Sequence, residues 1–401
     1  MDSAETLLGE IRGPDYQVVL IVDNDDGRMF PLTEDVPKCL LPIANRTLLS
    51  YQLDLLRKYR AAGACRSSSR PPISYLFDYS TFRAAEIFVV VSEDYAPAVS
   101  EFLSTYNRED IDMNLDLISV PRMMGSADGL RAVNDRIRGD FIVISSDVVT
   151  DCSLGALVNL HQLRSADITV AVSGSMEEEP DRKGGVKRII DEEDEEYVGV
   201  DSDGRLVFKT SALELEGNVT LSKPLLHHCK QLSLRKDVCD SGIYVMAWWV
   251  LEFIMRSPRL SSIRSDVVPY LTNWQFQPEA PLLAHVPGLE HRRRPLASVE
   301  GWLNRVTSRT SAKSGPELSE HMIRPSTILP TVQSTLSMDS SLMNQSTVED
   351  NRSADLLRCY TMFVETAPTG PVAAPDTHGA TMGAAICKRI TNIRSYMNVN
   401  R

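Results

Sequence analysis

Val18 to Val22 is an unbroken apolar run, the pattern of a strand buried on both faces. Leu48, Leu49, Leu53, Leu55 and Leu56 then recur at near-helical spacing. The alternation continues with strands predicted over 87–91, 115–120, 141–145 and 168–172, and helices over 96–106, 127–137 and 154–163. Strands and helices in this rhythm predict an α/β fold, a doubly wound and mostly parallel sheet. Ligands of such sheets sit beyond the carboxyl ends of the strands, which directs attention to the loops after Val22, Val120 and Ser145.

Two stretches break the rhythm. Residues 63–84 include Arg66-Ser-Ser-Ser-Arg-Pro-Pro where a strand–helix–strand unit needs only a short connection, so they are read as a surface insertion. From Glu177 to Glu196 ten acidic and four basic residues give a net −6, half the charge of the whole chain; this is read as a solvated loop. Beyond Gln277 the periodicity fades, and Thr307 to Val348 holds ten Ser, six Thr and three Pro. Together with the short basic tether at Arg292 and the Pro/Ala/Gly segment from Ala367 to Gly379, this predicts a largely disordered tail. The folded domain is therefore placed at 16–276, with a low-complexity linker at 277–357 and a further linker segment at 358–401.

Of 401 residues, 54 are acidic and 42 basic, a formal net charge of −12, which argues against a dedicated nucleic-acid binder because phosphate attraction needs a basic footprint. No apolar run reaches the roughly 18–20 residues that span a bilayer, and the first residues lack a basic start with a long apolar stretch. A soluble, cytosolic chain with no membrane partner is expected. Seven scattered cysteines (39, 65, 152, 229, 239, 359 and 387) read as reduced thiols. His227, His228, Cys229 and Cys239 lack the paired spacing of zinc modules and are read as surface histidines and buried cysteines.

The informative segment is Val18 to Asn45, VVLIVDNDDGRMFPLTEDVPKCLLPIAN. A buried strand, a tight loop, an arginine, then Pro31-Leu-Thr and Pro37-Lys-Cys-Leu-Leu-Pro-Ile resemble the signature of nucleotidyltransferases that join a sugar phosphate to a nucleoside triphosphate. Met124-Gly-Ser-Ala-Asp, Ile144-Ser-Ser-Asp147 and Cys239-Asp-Ser-Gly-Ile-Tyr match later segments of that family in order. The resemblance implies a Rossmann-like sheet and a nucleotide and sugar-phosphate pocket built from Gly27, Arg28, Lys38, Gly125, Ser126 and Asp128. It also implies a magnesium ion held by Asp147 and Asp240. Glycine amides, basic side chains and a metal would then neutralise the phosphates for in-line attack.

The loop departs from that pattern. Where the family has glycines this chain has Asp23, Asn24, Asp25 and Asp26, keeping only Gly27. Like charges about 4 Å apart repel by about 4 kcal/mol at an effective dielectric near 20, so the triphosphate site is read as disabled and the matching residues as vestiges. No cofactor is required, while residual magnesium or nucleotide binding stays open.

Loss of the loop with retention of the sheet resembles the gamma subunits of eukaryotic translation initiation factor 2B. Tyr197-Val-Gly-Val-Asp-Ser, Ser262-Ile-Arg-Ser-Asp-Val-Val-Pro-Tyr-Leu, Arg358-Cys-Tyr and the segment from Ile386 to Arg401 carry this narrower match. The resemblance implies a non-catalytic scaffold that assembles with the epsilon and other subunits and engages initiation factor 2 in guanine-nucleotide exchange. It also implies a hexapeptide-repeat β-helix, whose pattern this sequence lacks, so a truncated chain and a natural short form are both open. Trp248, Trp249 and Ile254 are weighed equally as interface and as core. Two alternatives remain: a nucleotide-sugar pyrophosphorylase such as a mannose-1-phosphate guanylyltransferase, and a nucleotide sensor without turnover.

Overall fold

In a computed structural model of the chain, the apolar runs pair as strands and the amphipathic segments pack over them. The structure describes residues 15–22, 27–61, 82–109, 114–121, 125–174, 178–180, 186–188, 195–215, 219, 221, 223–229, 231–236, 238–276, 357–364 and 386–400. The strands are β1 (Asp15–Ile21), β2 (Pro42–Ile43), β3 (Arg46–Thr47), β4 (Arg83–Ser92), β5 (Leu115–Val120), β6 (Phe141–Ser145), β7 (Val148–Thr150) and β8 (Ile168–Gly174). They continue with β9 (Glu178–Pro180), β10 (Val186–Arg188), β11 (Glu196–Asp201), β12 (Leu206–Ser211), β13 (Leu232–Arg235), β14 (Val238–Met246), β15 (Cys359–Val364) and β16 (Cys387–Arg389). The helices are α1 (Leu48–Ala61), α2 (Ala96–Glu109), α3 (Ser126–Ala132), α4 (Leu154–Leu163), α5 (Lys223–His228), α6 (Trp248–Arg256), α7 (Val268–Trp274) and α8 (Ile393–Val399).

Seven strands form the main sheet in the order β15-β8-β14-β6-β1-β4-β5. All neighbours run parallel except β14, which is antiparallel to both β6 and β8. The fold is thus α/β with a mostly parallel sheet. Val18, Val19 and Leu20 of β1 are wholly buried at its centre, and each such side chain contributes about 1.5–3 kcal/mol. A smaller antiparallel sheet, β12-β11-β13, stands beside it. Among the described residues no helix is long and apolar enough to cross a membrane.

The predicted strands and helices recur with small changes of extent. Helix α3 ends at Ala132 and gives way to turns through Arg136 rather than continuing to Ile137. Residues 82–84, assigned above to an insertion, join the main fold: Phe82 and Ala84 are buried, Phe82 stacks on Tyr59 with ring centroids 4.7 Å apart, and the exposed Arg83 opens β4. Residues 63–81 and the linker 277–356 lie outside the described residues.

The larger correction concerns 358–401, expected to be linker. Residues 359–364 form β15, which pairs in parallel with β8 over its whole length, with Cys359 and Val364 buried. Residues 387–389 form β16, antiparallel to β7. The described residues of this segment belong to the same compact unit as 15–276. The physical reason is edge coverage: β8 is buried from Ile168 to Ser173 and carries a row of backbone donors and acceptors that needs a partner. Trp249 and Ile254 prove to be core, with the Trp249 Nε1 donating to Asp167 at 2.8 Å.

A chain ended after Phe276 should therefore leave β8 paired on one side only, with β14. We expect it to be recovered insoluble or without a cooperative thermal transition; a soluble product with an unchanged Tm would restore the boundary at 276.

Candidate functional site

The strand ends β1 and β6 open onto a cleft of about 220 Å³, where the sheet topology places a ligand. Arg28, Lys38, Ser126 and Asp147 line it, so four of the signature residues do converge. Asp147 follows β6 in a turn fixed from below by buried Gln52 of α1, whose Nε2 donates to the carbonyls of Ser145 and Val148 at 3.0 Å each. Helix α4 is capped by Ser153, which accepts from the Ala156 amide at 3.1 Å, leaving Asp147 free of that task.

Asp147 is held by two cations of its own chain. Its Oδ2 accepts from Arg389 Nε at 2.8 Å and lies 3.4 Å from Lys38 Nζ. Burial alone would raise its pKa, but Arg389, Lys38 and the Ser145 hydroxyl outweigh that and hold the carboxyl well below the ordinary range. The Asp147 carbonyl also accepts from the Ile390 amide at 2.8 Å.

Asp240 is fully buried at the bulge of β14 rather than in a surface turn. Its Oδ2 accepts from Lys209 Nζ at 2.8 Å and from the Tyr244 hydroxyl at 2.9 Å, and its Oδ1 from the Gly242 amide at 2.8 Å. Gly242 has φ +74°, and a Cβ there would lie 2.9 Å from that of Ser145, so this position needs glycine for both reasons. The Asp240 amide donates to Glu196 at 3.0 Å, and Glu196 Oε1 takes Lys209 at 3.2 Å and Arg264 at 2.7 Å. Burial would raise the Glu196 pKa; Lys209 and Arg264 instead bring it down to about 2. Glu196, assigned to a solvated loop from sequence, is thus the anchor of a buried network. Arg264 sits in a turn (Ile263–Val267) tied by Asp266, which accepts from the amides of Ser261 and Ser262 at 2.8 and 2.9 Å.

The remaining expected residues do other work. Gly125 lets its loop close on the 261–263 segment: a Cβ would meet the Ser261 carbonyl oxygen at 2.3 Å. Ser126 Oγ accepts from the Ile263 amide at 2.9 Å. Asp128 is turned to Arg131, whose guanidinium caps the carbonyls of Ile254, Ser257 and Leu260, so it braces α6 instead of joining the cleft. Gly27 has φ +81° and is exposed beside Arg28. Asp23, Asn24, Asp25 and Asp26 lie outside the described residues.

Sequence reasoning missed Arg389, Lys209, Glu196 and Arg264. A lysine within the apolar strand LVFKTS was a usable signal for Lys209, because a buried lysine requires a partner.

Divalent magnesium wants a near-octahedral set of oxygen ligands. Here Asp147 faces a guanidinium and an ammonium, and Asp240 a lysine, a phenol and an amide N–H. That donor set does not fit the ion, and among the described residues no group of three or more His, Cys, Asp or Glu is placed to hold a metal. His227 and His228 are exposed at the end of α5.

A family model described as nucleotidyl transferase matches residues 26–196. The chain is 21% identical over 348 residues to translation initiation factor eIF2B subunit gamma of Dictyostelium discoideum, covering 83% of this chain and 72% of that protein. It is 24% identical over 253 residues to the gamma subunit of Schizosaccharomyces pombe, covering 62% and 49%. Against the epsilon subunit of Schizosaccharomyces pombe the figures are 25% over 173 residues, 42% and 22%. The chain therefore spans about half of the second protein's length and about a fifth of the third's.

Glu196 and Asp147 are both ionised more readily in the fold than in the unfolded chain. Their stabilisation is complete above the unfolded carboxylate values near 4 and is lost as pH falls through the folded ones. Glu196→Gln should cost about 3–5 kcal/mol at neutral pH by leaving Lys209 and Arg264 under-compensated. The gap in Tm from the native chain should close between about pH 4.5 and pH 2; a pH-independent gap in thermal melts would remove Glu196 from this role.

Proposed function

We propose, from the premise that the chain belongs to the eIF2B-gamma-like nucleotidyltransferase family, that it is a non-catalytic subunit of the exchange complex that returns initiation factor 2 from its GDP-bound to its GTP-bound form. Its partners are the epsilon and other subunits of that complex, together with initiation factor 2 itself, and it works in the cytosol. It needs no cofactor and makes no bond: it is a pseudo-nucleotidyltransferase that serves as scaffold.

One observation carries this reading. Asp147 and Asp240, the carboxylates a nucleotidyl transfer would use to hold its ion, are neutralised by Arg389, Lys38 and Lys209 of the same chain. Transfer to a phosphate requires that negative charge on the substrate be matched as it redistributes. A cleft whose cations already hold carboxylates has little left to offer a triphosphate. The acidic Asp23–Asp26 run in place of glycines acts in the same direction.

A second reading has an observation in its favour. Arg28, Lys38 and Ser126 still line one open cleft, which suits a nucleotide or nucleotide-sugar sensor without turnover.

Affinity purification of the tagged chain from its own cells should recover epsilon-like subunits and initiation factor 2; recovery without them would overturn the assignment. Sugar 1-phosphates with GTP, ATP or UTP and magnesium should release no pyrophosphate above background, and turnover that depends on Asp147 would make the protein an enzyme. Saturable GTP binding in calorimetry, with no turnover, would select the sensor.

A further inference from the structure

Three features of the C-terminal residues meet at the cleft. Residues 387–389 pair with β7, the strand that follows Asp147, in an antiparallel register that sets Arg389 opposite Val148. The Asp147 carboxylate and carbonyl are then each engaged from this segment, by Arg389 Nε and by the Ile390 amide, both at 2.8 Å. Beyond Arg389, Ile390 is buried with Met29, Leu41, Ile43 and Leu48, and Tyr396 and Val399 of α8 pack against the same cluster. The Tyr396 hydroxyl donates to the Pro42 carbonyl at 2.6 Å. The segment thus spans the cleft wall that carries the Pro37–Ile43 signature.

We infer that residues 386–400 are a built-in wall of the cleft, with Arg389 a tethered cation standing on Asp147 in place of a divalent ion. The guanidinium suits the position: it is permanently charged and forked, and it is weakly hydrated, so its burial is less costly than that of an ammonium. Arg389 and Lys38 both stand on Oδ2, so a free ion would have to approach through the buried Oδ1, which has no hydrogen-bond partner among the described residues, against the like charge of both cations. The carboxylate and the segment hold each other: Asp147 is ionised because Arg389 is there, and the segment is seated because Asp147 is ionised. This goes beyond the scaffold assignment and does not depend on which partners the chain has.

Hydrogen exchange on the full chain tests it. In Asp147→Asn the amides of residues 387–390 should exchange at least tenfold faster than in the native chain, with β1 and β4 unchanged. Arg389→Gln, which breaks the pair from the other side and serves where Asp147→Asn does not fold, should give the same local loss. Unchanged exchange at 387–390 in a folded variant overturns the inference. So does an equal rise in β1 and β4, which would make the pair a support of the whole sheet. In parallel, native protein titrated with Mn2+ alone should show no saturable binding by electron paramagnetic resonance; binding that Asp147→Asn abolishes overturns the tethered-cation role.

Discussion

A carboxylate buried in a protein must be given a counter-charge, and three of them, Asp147, Asp240 and Glu196, sit where this sheet opens. Leaving any one uncompensated in a low-dielectric interior costs several kcal/mol. Most of the architecture around the cleft answers that demand. Lys209 comes from β12, Arg264 from a single turn, Lys38 from the signature loop and Arg389 from the far end of the sequence. Each is delivered by a different element, so the charge network also fixes how the small sheet, the turn and the C-terminal segment sit on the main sheet.

The same demand sets what the carboxylates of the cleft still offer a ligand. A carboxylate that holds a metal needs an oxygen lone pair turned to the ion, even when its other lone pairs accept hydrogen bonds. Here Asp240 is 0% exposed and its oxygens are all taken up by the lysine, the phenol and the Gly242 amide. The three carboxylates are answered within the chain by four cations, Lys38, Lys209, Arg264 and Arg389, while Asp147 Oδ1 and Arg389 Nη1 stay buried without a hydrogen-bond partner among the described residues.

Much of the fold was legible because the strands are continuous apolar runs, and Arg28, Lys38, Ser126 and Asp147 were legible because an ordered signature marks them. Arg389 was not. Its pair with Asp147 joins residues 242 positions apart, and nothing local in Ile386-Cys-Lys-Arg distinguishes a buried arginine from a solvated one. Glu196 was hidden by its neighbours: it ends a run of acids, and nothing in that run marks it as the residue that opens β11. Residues 359–364, CYTMFV, had the composition of a strand, but they follow a long low-complexity stretch and that context prevailed. Local pattern reports a segment's own preference; it does not report which distant edge is waiting for it.

The placement of β15 and β16 has a consequence in time. Synthesis proceeds from the N-terminus at about 5–20 residues per second, so on the order of ten seconds separates the emergence of Phe276 from that of Arg389. Until residues 359–364 emerge, β8 has no β15 to pair with, and until Arg389 emerges Asp147 is short of one of its two cations. A nascent chain in this state presents the feature that invites pairing with other strands, and residues 359–364 withdraw it. Completion of the domain is thereby coupled to completion of this part of the chain, so a ribosome that stalls between Phe276 and Cys359 leaves β8 exposed.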